Sequence, residues 1–245
     1  MIKFLVFWVS LLGILISWEL VLLDPSNILY WLFLCLVASG IASLRLSGGD
    51  GGFWSVLIDR ISVVLFSIGV FWWLLWIDFE YIKFVVAALV WCVLVYGMRR
   101  EKPHEHMSVT LRLILFFGGT FVWTVTSFGL FTVIGWKLIE TLGVFIVSFS
   151  VFAYSGVHTI ARNQKGLLTA YLVLMLLGIE FFSVVSWLPF TEATLALILT
   201  VLVLGSFDLI KYYIYPERIR KKIIIKKLLV YAFFLVVVLV STSWV

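Results

Sequence analysis

Apolar runs of about 20 residues recur from one end of this sequence to the other, each long enough to cross a hydrocarbon core of about 30 Å. A segment in lipid has to satisfy its own backbone polar groups, so only helices or a closed barrel can cross. The sequence lacks the ten-residue apolar–polar alternation of barrel strands. The runs fall at about 4 to 23, 28 to 44, 61 to 77, 82 to 98, 111 to 135, 138 to 160, 167 to 188, 193 to 212 and 228 to 244. They predict an all-α fold, a polytopic transmembrane helical bundle of about nine spans, with residues 1–245 as a single integral membrane domain. Gly118, Gly119, Gly129 and Gly135 interrupt the stretch from 111 to 160, where Trp136, Lys137 and Glu140 make a turn between two spans. Eight spans is the alternative count.

Composition excludes a water-soluble fold. Hydrophobic residues make up 64% of the 245, charged residues only 13%, and the mean hydropathy is +1.18, whereas soluble domains carry roughly a quarter charged residues. The longest charged stretch, Lys211 to Lys227, is too short for a soluble catalytic domain, so any chemistry must sit in or against the bilayer. Cys35 and Cys92 lie inside apolar runs, where a thiol behaves as a small hydrophobe and no disulfide framework is expected. The first 20 residues have a signal-like basic start and apolar body without a small-x-small cleavage site, and read as a retained first span.

Lysine and arginine concentrate in short cytoplasmic loops, so charge placement tests the span count independently. With the N-terminus inside, all of the 18 basic residues except Lys83 and Lys137 fall on the cytoplasmic side. The opposite face carries Asp24, Asp78, Glu80, Glu140 and Glu192 and is locally acidic. Nine spans keep this alternation and put the C-terminus outside.

A carboxylate in a lipid-exposed helix costs about 2.5–3.5 kcal/mol on insertion scales, which singles out Glu19 and Glu180 as the candidate intramembrane polar site. Such a pair could bind a cation, relay a proton or act as general acid and base on a lipid head group. The plainer reading is packing, a glutamic acid hydrogen-bonded to a neighbouring helix. Glu180, between Leu177 and Phe181, is expected to face the bundle interior or a wet cavity.

The segment YPERIRKKIIIKK places Arg218, Arg220, Lys221, Lys222, Lys226 and Lys227 beside isoleucines, within a basic cytoplasmic juxtamembrane loop at 211–227. Basic residues beside a membrane gain about 1 kcal/mol each near an anionic leaflet, so membrane lipids, with anionic lipid at the cytoplasmic face, are the expected partners. The bland reading is a topology anchor. Nucleic acid is not expected, because no recognition fold accompanies the charge. Asp208 and Lys211, three residues apart, read as a local salt bridge.

Other patterns carry no site. SGGDGG (Ser47 to Gly52) has the glycines of a phosphate loop without its lysine, and reads as a linker into an interfacial segment at 53 to 60. KPHEHM (Lys102 to Met107) and His158 gather the three histidines on one face without a full ligand set or metal-binding helical spacing, so neither a metal nor a cofactor is expected. Trp72, Trp73, Trp76, Trp136 and Trp187, near span ends, fit an interfacial belt.

The final third, SWLPFTEATLALILTVLVLGSFDLIKYYIYPERIRKKIIIKKLLVYAFFLVVVLVSTSW, runs from Leu-Pro-Phe through an apolar helix and a Tyr-Tyr basic segment to a span ending in tryptophan. It resembles an uncharacterised polytopic membrane family of candidate-phyla bacteria. That resemblance implies a bacterial plasma membrane and no particular activity. Three functions follow from the sequence: a non-enzymatic helical subunit or scaffold for a membrane-protein partner, a small-solute or proton-coupled carrier using Glu19 and Glu180, and an enzyme acting on a lipid-linked substrate at the outer interface. The enzyme reading draws on Glu19 and Asp24, but the outer loop available to it, Asp24 to Asn27, is short.

Overall fold

The four prolines, Pro25, Pro103, Pro189 and Pro216, fall outside the long apolar runs, so no run contains the residue that would remove a helical hydrogen bond. In the structure, a computed structural model that describes residues 2–44, 53–99, 109–160, 166–215 and 221–242, those runs are helices. They are α1 (Ile2–Leu23), α2 (Ile28–Ser43), α3 (Phe53–Leu75), α4 (Glu80–Arg99), α5 (Val109–Thr132), α6 (Leu138–Ile160), α7 (Leu167–Val185), α8 (Glu192–Ile214) and α9 (Lys221–Ser241), with a 3-10 turn at Pro25–Asn27. Among the described residues all nine are long and apolar enough to cross a membrane. The expected all-helical polytopic architecture is therefore observed, with nine helices rather than eight. The break between α5 and α6 is a turn in which Gly135 takes a φ of 77°, a backbone conformation that side chains with a Cβ rarely adopt.

Two boundaries differ from expectation. The segment from Phe53 is continuous with the third span rather than a separate interfacial helix. The last helix starts at Lys221, so 211–227 is not one loop: 211–214 end α8 and 221–227 open α9. The isoleucines and lysines from 221 on are good enough helix formers to extend an adjoining apolar helix. Ser47 to Gly52, Lys102 to Met107, Arg218 and Arg220 lie outside the described residues.

The chain forms two compact units, residues 1–123 and 124–245, and the division falls within α5. In the first, α1 packs on α2, α3 and α4. Its buried positions Phe7, Leu11, Ile14, Trp18 and Val21 alternate spacings of four and three, the seam of closely packed helices. The facing stripe of α2 is Cys35, Ala38, Ser39, Ala42 and Ser43, whose small side chains let the two backbones approach. Three indoles fasten neighbouring helices: Trp18 Nε1 donates to the Ser67 carbonyl at 3.1 Å, Trp91 to Leu11 at 2.8 Å, and Trp123 to Leu65 at 2.8 Å.

In the second unit α6, α7, α8 and α9 pack in sequence order. Its core is a phenylalanine cluster, in which the Phe182 ring stacks on Phe128 at 4.6 Å and on Phe145 at 4.7 Å between centroids. A Cβ at Gly178 would collide with the Phe149 ring, so glycine is what lets α7 close on α6. Tyr215 ties the end of α8 to the end of α6 by donating to the Ile160 carbonyl at 2.5 Å.

Candidate functional site

The core-facing side of α7 is set by Ala170, Leu174, Gly178, Phe182 and Val185. Glu180, two residues beyond Gly178, is turned about 200° from it at 100° per residue. It is consequently exposed and has no hydrogen-bonding or ionic partner among the described residues. This corrects the expectation that Glu180 faces the bundle interior: Gly178 and Phe182 already fill the inward positions. Leu168, Leu172, Leu176 and Val184, spaced by four residues from one another through Glu180, are exposed with it, which leaves the acid within an apolar stripe.

Glu19 is half-buried on α1 beside the seam residue Trp18, and it too has no partner among the described residues. Glu19 belongs to the first unit and Glu180 to the second. Asp24, at the end of α1, is committed to its own turn: its carboxylate accepts from the Ser26 hydroxyl and, at 2.7 Å, from the Asn27 amide. Those bonds, Ser26 first and Asn27 second, hold the Asp24 carboxyl below the usual carboxylate range.

The basic cluster divides. Lys221, Lys222 and Lys226 are exposed at the start of α9. Lys227, the sixth of the candidate lipid contacts, instead donates to both Asp208 carboxylate oxygens, at 3.1 and 3.0 Å, and Tyr231 donates its hydroxyl to the same carboxylate at 2.7 Å. Lys227 and Tyr231 are one helical turn apart, so both reach one point on α8. Asp208 is buried against α9 while Lys211 is exposed, which replaces the expected Asp208–Lys211 bridge with one between helices. Three hydrogen bonds from two side chains converge on one carboxylate, and this cluster clasps α9 to α8. It matters because Ile224 and Val238 are the only buried residues of α9 among those described.

A second ion pair, buried on both sides, joins α3 to α5 in the first unit, where Arg112 Nη2 lies 2.5 Å from Asp59 Oδ2. Sequence alone places Arg112 at the start of its apolar run and does not single out Asp59. The available signal was the placement of each within an otherwise apolar helix, where a charge requires a partner.

Among the described residues no group of three or more His, Cys, Asp or Glu side chains could hold a metal ion. His158 is half-buried beside Tyr154, and His104 and His106 lie outside the described residues. The two cysteines are free, Cys35 buried and Cys92 exposed. An open groove of about 850 Å³ lies between α7 and α8, lined from Gly166 to Leu177 on one side and from Ser206 to Ile214 on the other.

Helix length and apolar composition define, among the described residues, an all-helical architecture compatible with a multi-pass membrane protein. Comparison of the chain with protein-family models, curated proteins and solved structures finds no match.

Proposed function

We propose that this protein is a non-enzymatic multi-pass subunit or scaffold of a bacterial plasma membrane, and that it works by holding another membrane helix against α7. The observation behind this reading is Glu180, exposed in an apolar stripe and without a partner among the described residues. Left facing lipid, such an acid costs about 2.5–3.5 kcal/mol on insertion scales. A helix that brings a lysine, arginine or amide donor to the same depth removes that cost and gains a charge-assisted hydrogen bond. Leu172, Leu176 and Val184 supply apolar contact on either side. The bacterial setting is supported by the resemblance of the final third. The carrier and lipid-linked enzyme readings lean on Glu180 and Asp24, and the outward turn of the one and the loop bonds of the other favour neither.

The test uses a synthetic leucine-rich transmembrane peptide with one lysine about 8 Å below its outer end, the depth of Glu180 at 1.5 Å per residue from Val185. Energy transfer from labelled, reconstituted protein to this peptide should exceed that to an all-leucine peptide. Glu180→Leu should abolish the excess without lowering the thermal midpoint, because no internal bond is lost. Equal transfer to the two peptides, or a destabilised Glu180→Leu chain, would overturn the reading.

A further inference from the structure

We infer that the partner helix lies in the groove between α7 and α8, as a transmembrane helix with large apolar side chains along Val173 and Leu209 and a basic residue beside Glu180. This seat rests on the proposed scaffold function, to which it adds α8 and the side chains that the partner carries.

Helix periodicity joins the acid to the groove. At about 100° per residue, Glu180 stands within about 20° of Val173, seven residues earlier, and of Thr169, eleven earlier, and both of these line the groove. Glu180 is the first exposed position beyond the last lining residue, Leu177, and so continues the same wall. Eleven rises of 1.5 Å from Gly166 to Leu177 give about 16 Å, about half of a hydrocarbon core of about 30 Å, and extending the wall through Glu180 to Val184 gives about 27 Å. A path of that length fits a spanning helix. A lipid tail, confined to one leaflet, would end near Leu177 and leave Glu180 without a donor.

The shape of the groove sets the partner's apolar side chains. Ala170 and Ser206 are buried at its floor, while Val173 and Leu209, 42% and 46% exposed, stand at its rims. Small floor residues let a third helix approach. The Ser206 hydroxyl already donates to the Leu202 carbonyl at 3.0 Å, so the depth between the rims suits side chains of leucine or phenylalanine size better than water. Charge fixes one further position. Glu180 has no partner among the described residues, and an acid in an apolar face takes a lysine or arginine at its own level. The partner's basic residue therefore falls about one helical turn past the end of the groove, toward Val185.

The test titrates the reconstituted full chain with two leucine-rich transmembrane peptides, one carrying a single lysine at the level of Glu180 and one carrying none, and reads association by energy transfer. Val173→Trp, which fills the groove, should weaken binding of the lysine peptide about tenfold. Leu168→Trp, also on the exposed face of α7 but about 140° around the helix from Val173, should leave it unchanged. A lysine preference that folded Val173→Trp leaves undiminished, or that Leu168→Trp lowers equally, would overturn the groove as the seat and leave the scaffold reading standing. No preference in the wild-type chain would overturn both. A chain dimer that Val173→Trp dissociates would overturn a separate helix as the occupant. Should Val173→Trp fail to fold, a fluorophore on Leu209→Cys, with the exposed Cys92 replaced by serine, gives the second measurement. A nitroxide on the lysine peptide, about three turns from the lysine toward the Gly166 end, should quench it more strongly than the same fluorophore on Leu168→Cys. Equal quenching at the two positions, or quenching at Leu209→Cys by brominated phosphatidylcholine that the peptide does not relieve, would overturn the seat.

Discussion

Lys227 of α9 donates to both carboxylate oxygens of Asp208 on α8, 19 positions earlier in the sequence, and so joins the least buried helix of the second unit to one of its most buried. A lysine expected among the lipid contacts by its position in a basic run thus also takes part in the protein's packing. Asp208 is nearly inaccessible, whereas the Lys227 side chain is 48% exposed. Truncating one member of a fully buried pair costs about 3–5 kcal/mol, and the exposure of Lys227 lowers the expectation for Lys227→Met to roughly 1–3 kcal/mol. Joining it to Asp208→Asn should return part of that loss, because no buried charge then lacks a partner. Equilibrium unfolding in mixed micelles measures the cycle, and strictly additive losses would show that the two residues are not coupled.

The helices were legible in the sequence because lipid permits few alternatives, and the apolar runs gave their number. Which side of each helix faces inward was harder to read. On α1 both the buried Leu11 and the exposed Leu12 are leucine, so hydrophobicity cannot tell them apart. The informative signal is size: Gly13 approaches Ala38, and Gly178 lies under Phe149. Reasoning from the cost of a charge placed Glu180 inside, whereas the neighbouring Gly178 and Phe182 turn it out. The Asp208–Lys227 pair was hidden for a related reason, since it depends on how α8 and α9 meet and not on spacing within either helix.

Close approach of α3 and α5 gives a prediction with an internal control. A Cβ at Gly69 would lie 2.7 Å from Val122 Cγ2 and 2.8 Å from Trp123 Nε1, the atom that donates to the Leu65 carbonyl. Gly69→Ala should therefore cost roughly 1–3 kcal/mol through overpacking and loss of that bond. At Gly40 nothing lies within 4 Å of the added atom, so Gly40→Ala should be neutral or slightly stabilising. Matched unfolding curves check the pair, and equal effects at the two glycines would refute the packing between α3 and α5.

The turn after α1 should respond to acid. Hydrogen bonds from Ser26 and Asn27 lower the Asp24 pKa, so its contribution is fully present above the ordinary carboxylate pKa and is lost as pH falls through the depressed value. Amide exchange at Ser26 and Asn27, corrected for intrinsic rates, should quicken only below that ordinary range. Asn27→Ala should move the onset to higher pH by removing one of the two side-chain donors. An onset unmoved by Asn27→Ala would contradict the bonding described for this turn.

Orientation across the membrane remains separable from span number, and the helix ends show how. Glu80, Glu140 and Glu192 sit in the first turns of α4, α6 and α8, while His158 and Lys211 sit in the last turns of α6 and α8, an arrangement that the helix dipole alone would favour. Lys221 and Lys222 discriminate between the causes. They open α9, where a cation opposes the positive end of the dipole, so the dipole does not account for them, whereas retention of basic residues on the cytoplasmic side would. With nine crossings, retention of the basic residues inside would put the start of α1 inside and the end of α9 outside, which reporter fusions test. Alkaline phosphatase fused after Ser241 should be active and a cytoplasmic reporter at the same point silent, with the reverse for fusions between α8 and α9. Lys221→Gln with Lys222→Gln should weaken that asymmetry, whereas Glu192→Gln should leave it intact. An active cytoplasmic reporter after Ser241 would rule out an odd number of crossings with the N-terminus inside.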